Sequence, residues 1–336
     1  MGEDRGADHK GVVTPPNKDL KEDRPMMKIA DLNYDRQKFI GSSDVAAILG
    51  LGVYDNTALT VWRRKKGLEE DPMTEARRKF LERRKKWEPY VVDRLKEEYG
   101  AEIIDVNARY VDQDLPYFAA EIDAEARVGN EVVNVEIKTV SPFAFGEKYG
   151  WGEQGSNDIP VHYDAQVRFA LGVTRRKRAL VVVLVGLMDE FPIYVIERDE
   201  SVEKELRGAC QRFWEKHVLA DVPPEPQTLN DLKVLYKTTN GLAVDGTGEV
   251  GSKALRLRAI RAQMEALEFE EEALEFEVKA FMKDREELLV DGKKIFTWKE
   301  QNWSHLDQEG LKANEKEIYK KYLKSGKARA FKMLRS

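Results

Sequence analysis

The chain has 336 residues, of which 35% are charged and 42% hydrophobic, with a formal net charge of −5. That length supports one large or two modest domains with a real core. The longest apolar run, Ala179 to Met188, is far short of a bilayer span, so no membrane association is expected. Cys210 is the only cysteine, which excludes internal disulfides, a cysteine zinc site and an iron–sulfur cluster, and points to a reducing cytoplasmic setting.

Residues 1–32 are polar, carry Pro15, Pro16 and Pro25 and no apolar leader, and read as a mobile tail. From 33 to about 100 the pattern is helical. Ser43 and Asp44 suit the cap of a helix carrying Val45, Ile48 and Leu49. A second helical stretch runs from about Thr74 to Tyr99, with a break expected near Trp87 because Pro89 cannot continue it. Strands follow. Tyr117 to Ala120 leads into Glu121-Ile122-Asp123, and Ala124–Val128 and Glu131–Val140 form a hairpin across Gly129-Asn130. His162 to Gly172 is an amphipathic helix, the run from Ala179 a buried strand, Ile193–Glu197 another strand, and Ser201 to Val218 a helix. The expected class is α/β (α+β), a restriction-endonuclease-like core with a central mixed sheet flanked by helices over 33–222.

Pro223, Pro224 and Pro226 open a linker over 223–251, whose Leu229 to Tyr236 portion is apolar enough to dock on the core. Residues 252–290 form a long arm. Ile260, Met264, Leu267, Leu274, Val278 and Phe281 keep coiled-coil spacing, Glu271 interrupts the seam, and Ala-Leu-Glu-Phe-Glu recurs one heptad apart at 266 and 273. A hairpin at Asp291-Gly292 leads into a small basic module, 291–336, which has two readings: Trp298, Trp303 and Phe331 as the core of an interaction module, the favoured one, or Trp298 or Phe331 stacking bases beside lysine contacts to phosphate. Two segments are strongly basic despite the negative total. Trp62 to Lys86 has 11 basic and 5 acidic residues, and Leu311 to Ser336 has 9 basic and 2 acidic. Alone these are solvated faces; beside a phosphodiester-cutting site they become a nucleic-acid footprint.

Such a site is suggested by Asp123 followed by Glu136-Ile137-Lys138. Side chains alternate along a strand, so Glu136 and Lys138 share a face while Ile137 enters the core. A neighbouring strand delivers Asp123 to the same edge. Asp123, Glu136 and the Ile137 carbonyl supply part of an oxygen shell for Mg²⁺, for which Mn²⁺ can substitute, and Lys138 acts on the attacking water. Glu88, at the helix break, is a further carboxylate able to approach the metal. Gln166, Tyr163 and Arg168 lie on the helix that follows, the first to hold the water and the other two to meet phosphates. The four histidines have no zinc spacing, and no Walker loop is present, so ATP use is not expected.

The order of these motifs resembles the YqaJ-type viral recombinases, the lambda exonuclease family within the PD-(D/E)xK nucleases. Arg36-Gln-Lys-Phe-Ile-Gly-Ser-Ser-Asp44, Trp87-Glu88-Pro89, Asp123 with Glu136-Ile137-Lys138, Tyr163-Asp-Ala-Gln166 and Tyr194-Val-Ile-Glu197 carry the likeness. It implies a Mg²⁺-dependent exonuclease on double-stranded DNA ends, digesting 5′ to 3′ and leaving 3′ overhangs for a single-strand annealing protein. It also implies a ring-shaped homo-oligomer, a trimer in the lambda case, in a bacterial or phage-infected cell. By position, Arg36 and Ser43 fall where the family binds the terminal 5′-phosphate. Glu121 and Ala124 replace a usual serine and glycine around the first aspartate. Two alternatives differ in class: another nuclease of the superfamily, such as an endonuclease, and a non-catalytic coiled-coil DNA-binding protein.

Overall fold

The computed structural model describes residues 27–28, 35–53, 55–68, 74–186 and 191–333. The expected mobile tail therefore lies outside the described residues except for Met27 and Lys28. The chain divides into two units, Met1–Leu232 and Lys233–Ser336.

The first unit is built on a seven-stranded mixed sheet. Met27–Lys28 (β1) pairs antiparallel with Glu102–Val111 (β3), which the sequence reading did not identify as a strand. Ile40–Gly41 (β2) runs parallel to the start of Phe118–Val128 (β4). The hairpin of β4 with Glu131–Val140 (β5) turns at Gly129, whose φ of +62° is open to glycine at no steric cost. Arg178–Val185 (β6) lies parallel to β5, and Ile193–Glu197 (β7) antiparallel to β6.

Helices cover both faces. Val45–Ile48 (α1) and Ala58–Lys65 (α2) follow β2. The expected break at Pro89 separates Glu75–Lys85 (α3) from Glu88–Tyr99 (α4), with the proline in the first turn of α4, where a missing N–H costs nothing. Val91, Val92 and Leu95 of α4 pack on Val133, Val135 and Ile137 of β5 and on Ala124 and Ala126 of β4. Val167 and Leu171 of Val161–Thr174 (α5) pack on the other face with Val181, Val183 and Tyr194. Each such fully buried aliphatic side chain contributes about 1.5–3 kcal/mol. Glu200–Phe213 (α6) continues into a π-helical turn, Trp214–Leu219. Leu229–Leu235 (α7) is anchored by the buried Asp231, which accepts from Thr57 Oγ1 at 2.9 Å and from the Gln227 N–H at 2.8 Å.

The second unit holds a 35-residue helix, Gly248–Met282 (α8), the hairpin Glu287–Val290 (β8) and Lys293–Thr297 (β9), and two short helices, Gln308–Asn314 (α9) and Lys316–Tyr322 (α10). Asp291 and Gly292 both have positive φ, as a two-residue turn of the mirror-image type requires. The expectation of a Trp298, Trp303 and Phe331 core is corrected here. They are 45%, 77% and 81% exposed. Lys279 Nζ stands over the Trp298 ring at 5.6 Å and the Arg261 guanidinium over the Phe331 ring at 5.3 Å, so each ring meets a cation's charged head. Among the described residues, no helix is long and apolar enough to cross a membrane.

Candidate active site

The site arises where the sheet splits. Strand β3 pairs with β4 along nearly all its length. On the other side of β4, β2 pairs at Phe118 and Ala119, whereas the β5 ladder begins only at Ala124↔Val135. Residues 120–123 therefore have no strand partner on that side among the described residues. Asp123 sits at the mouth of this gap. Its Oδ2 accepts the Ile137 N–H at 2.7 Å, satisfying a donor that the ladder has abandoned.

Alternation along β5 does the rest. Val133, Val135 and Ile137 enter the α4-side core, and Glu136 and Lys138 face α5. Lys138 Nζ donates to Glu136 Oε1 at 2.5 Å and to Gln166 Oε1 at 3.2 Å, while Gln166 Nε2 donates to the same Glu136 oxygen at 2.5 Å. The Lys138 ammonium also stands 4.7 Å from the centre of the Tyr163 ring, which Trp151 backs at 5.7 Å. The ring and the amide fix the cation from two sides.

Electrostatics mark the cluster. Burial and the nearby Glu136 push the Asp123 carboxyl up to about 8, against the opposing pull of Lys138. Burial alone would lower the Lys138 ammonium, but Glu136 and Asp123 outweigh it and hold it above its ordinary value. Burial likewise raises Glu88, with Glu121 and Glu136 adding to the effect against Lys85 and Lys138. Glu88 is thus within electrostatic reach of the split, at the N-terminus of α4. A cluster with more carboxylates than cations suits a hard divalent ion. Asp123 and Glu136 would be its protein ligands, with the Ile137 carbonyl and Glu88 alongside. No three His, Cys, Asp or Glu side chains are already gathered as a cage among the described residues.

A second cluster flanks β2, drawing on the short turn Arg36–Lys38 before it, Ser42–Asp44 after it, and the end of α2. Arg36 donates to Ser43 Oγ at 2.7 Å. Beneath them Asp44 is fully buried, held by Lys65 at 2.6 Å and Arg64 at 3.3 Å and accepting the Gly41 N–H at 3.0 Å. Burial alone would raise the Asp44 carboxyl, but Lys65 and Arg64 hold it below the usual carboxylate range. Three cations around one carboxylate leave the cluster positive. The Gly41↔Ala119 pairing puts it on the strand that carries Asp123, about 13 Å along at the usual strand rise. Sequence reasoning found Arg36 and Ser43 but assigned Asp44 only to a cap and missed Arg64 and Lys65. Their signal was the Arg63-Arg64-Lys65 run.

Arg168 is placed differently from the others. It pairs with both carboxylate oxygens of Asp164 at 2.8 Å, one turn back on α5, and donates to the Glu197 carbonyl at 3.2 Å. Glu121 pairs with Arg109 at 3.0 Å.

Residues 33–177 match the model of the YqaJ-like viral recombinase domain. The matched segment is similar to that domain and contains the carboxylate–lysine cluster and the Arg36–Ser43 cluster together. Among solved structures, LHK-Exo in complex with dAMP is 18% identical, with 60% of this chain and 95% of that chain covered and a TM-score of 0.43. The alkaline exonuclease LHK-Exo from Laribacter hongkongensis is 18% identical over 56% of this chain and 91% of that one, with a TM-score of 0.43. SSO0001 is 14% identical over 62% and 88%, with a TM-score of 0.32. No curated protein matches the sequence. The second unit lies outside the YqaJ-like segment.

Proposed function

We propose that this YqaJ-like protein is a Mg²⁺-dependent exonuclease acting on linear double-stranded DNA. It digests 5′ to 3′ and leaves 3′ overhangs for a single-strand annealing partner. The observation that carries the hydrolytic part is the convergence of Asp123, Glu136 and Lys138 at the β4–β5 split, with Gln166 bonded to both Glu136 and Lys138.

Asp123 and Glu136 would hold the ion, with Glu88 of α4 as a further carboxylate in electrostatic reach. When bound, Mg²⁺ lowers the pKa of a coordinated water and screens charge on the phosphate. Lys138, kept protonated by the two carboxylates, orients that water and stabilises the developing phosphate charge. Gln166 sets the Lys138 position and offers its amide to the water, and Tyr163 supports the ammonium. Arg36 and Ser43 receive the terminal 5′-phosphate, since a guanidinium and a hydroxyl match its oxygens. Arg168 serves the fold of α5 in this arrangement rather than the phosphate. A homo-oligomeric ring around DNA, as the family resemblance implies, would account for processive digestion.

The test is digestion of end-labelled linear duplex, with and without a 5′-phosphate, in Mg²⁺, Mn²⁺ or EDTA. Release of nucleotides from the 5′ end, faster with the phosphate and abolished by EDTA, is expected. Cutting of a closed circular plasmid would replace the exonuclease with an endonuclease.

A further inference from the structure

The long helix α8 has a seam and no cover for most of it. Leu257, Ile260, Met264, Leu267, Leu274, Val278 and Phe281 follow three–four spacing, with Glu271 in the one remaining seam position. Ile260, Met264, Leu267, Leu274 and Phe281 are between 37% and 77% exposed. A helix of roughly 52 Å at 1.5 Å per residue gains its stability from burying an apolar face rather than from propensity alone.

Its two halves are chemically opposite. From 248 to 262 there are four basic residues, Lys253, Arg256, Arg258 and Arg261, and one acid. From 263 to 282 there are seven glutamates and one lysine. Against the acidic half, the β8–β9 hairpin builds a groove of about 660 Å³. Its lining is apolar at Leu274, Val278, Met282 and Phe296 and net acidic, with Glu270, Glu271 and Glu275 against Lys279. The groove therefore suits an amphipathic helix with an apolar stripe and basic flanks. The basic half of α8 has that character. A continuous helix cannot bring its first half back onto its own second half.

We infer that α8 pairs antiparallel with α8 of a second copy of this chain, each basic half lying in the partner's acidic groove. The contact is isologous and closes at two α8 helices, so it pairs chains independently of any ring formed by the first unit. Centred between residues 265 and 266, the register sets Leu257 against Leu274 and Met264 against Leu267 of the other copy, with Ile260 against Glu271. Arg261 then meets Glu270 and Arg256 meets Glu275. A parallel pair would instead place Glu271 against Glu271 and the glutamate-rich halves side by side, which like-charge repulsion disfavours. The inference uses residues of the second unit alone and stands apart from the nuclease reading.

The test uses three full-length chains in sedimentation equilibrium: wild type, Arg256→Glu/Arg261→Glu, and Glu270→Lys/Glu275→Lys. Wild type is expected to show a pairwise association step that depends on α8, and each variant alone to dissociate at that step at least about tenfold more readily, the scale of 1.4 kcal/mol. An equimolar mixture of the two variants is expected to recover the dimer, because each reversed half then meets its complement in both grooves. In a second arm, Leu257→Cys and Leu274→Cys chains are oxidised alone and mixed. Cross-linking between the two different variants supports the antiparallel register, and self-cross-linking of Leu257→Cys overturns it. A monomeric wild type, or a mixture no tighter than its components, also overturns the proposal. Nuclease assays on the same samples read the first unit independently.

Discussion

Asp123 Oδ2 accepts the Ile137 N–H at 2.7 Å across the point where β4 and β5 stop pairing. The same carboxylate therefore finishes the backbone hydrogen bonding of the catalytic strand and faces the cleft that opens there. Its burial beside Glu136 is what makes it unlike a surface aspartate.

That burial gives a pH prediction. The Asp123 carboxyl sits at about 8 in the folded metal-free protein, against 3.8 for an ordinary aspartate. Between those values the folded state binds a proton that the unfolded state has released, so this group makes stability fall as pH rises through the window. Asp123→Asn keeps an oxygen for the Ile137 N–H and removes the carboxylate. In EDTA, thermal unfolding of wild type is expected to weaken from about pH 5 to about pH 8 relative to the variant. Equal pH dependence of the two proteins would contradict the buried-acid assignment. Metal binding must expel the same proton, so the ion concentration needed for half-maximal activity is expected to fall as pH rises to about 8.

Lys138→Ala removes the cation that Glu136 and Gln166 hold. Turnover is expected to fall by about 10²–10³-fold, the usual cost of losing one charge-stabilising group. Duplex binding, read by anisotropy in Ca²⁺, is expected to stay within a few-fold. Loss of binding and of folding together would make Lys138 structural instead.

Arg36→Ala is expected to abolish the preference for 5′-phosphorylated ends while leaving slow digestion of unphosphorylated ends unchanged. The ratio of initial rates on the two substrates reads this directly. A ratio unaltered from wild type would remove Arg36 from end recognition.

Asp44 is a stability residue by the same geometry. Its stabilising contribution is complete above the ordinary aspartate value and is lost as pH falls through its depressed one. Asp44→Asn leaves the buried Lys65 without its carboxylate and is expected to cost about 3–5 kcal/mol. Urea denaturation at neutral pH measures it. A cost below about 1 kcal/mol, the range of exposed pairs, would show that the pair is solvated.

The parts of the site legible in the sequence are those carried by local periodicity. Alternation placed Glu136 and Lys138 on one face, Pro89 marked the α3–α4 break and with it Glu88, the helix after the strand brought in Gln166, and the resemblance supplied Arg36 and Ser43. Strand β3 was missed because polar Asp105 and Asn107 interrupt its alternation, with a register shift between Ile103 and Asp105 and a positive φ at Asn107. The Asp44–Lys65 pair was missed because its partners are 21 residues apart and meet only through tertiary packing. Trp303 and Phe331 misled in the other direction: their size suggested a core, but the short elements around them offer no face wide enough to bury them.

The most direct measurement is nucleotide release from linear duplex as Mg²⁺ is titrated into EDTA-stripped protein, with wild type and Glu136→Gln side by side. Wild type is expected to pass from inactive to active with the ion, and Glu136→Gln to stay inactive at every concentration although folded and able to bind DNA. Equal activity of the two, or release by wild type without any divalent ion, would contradict a metal-assisted reaction at the β4–β5 split.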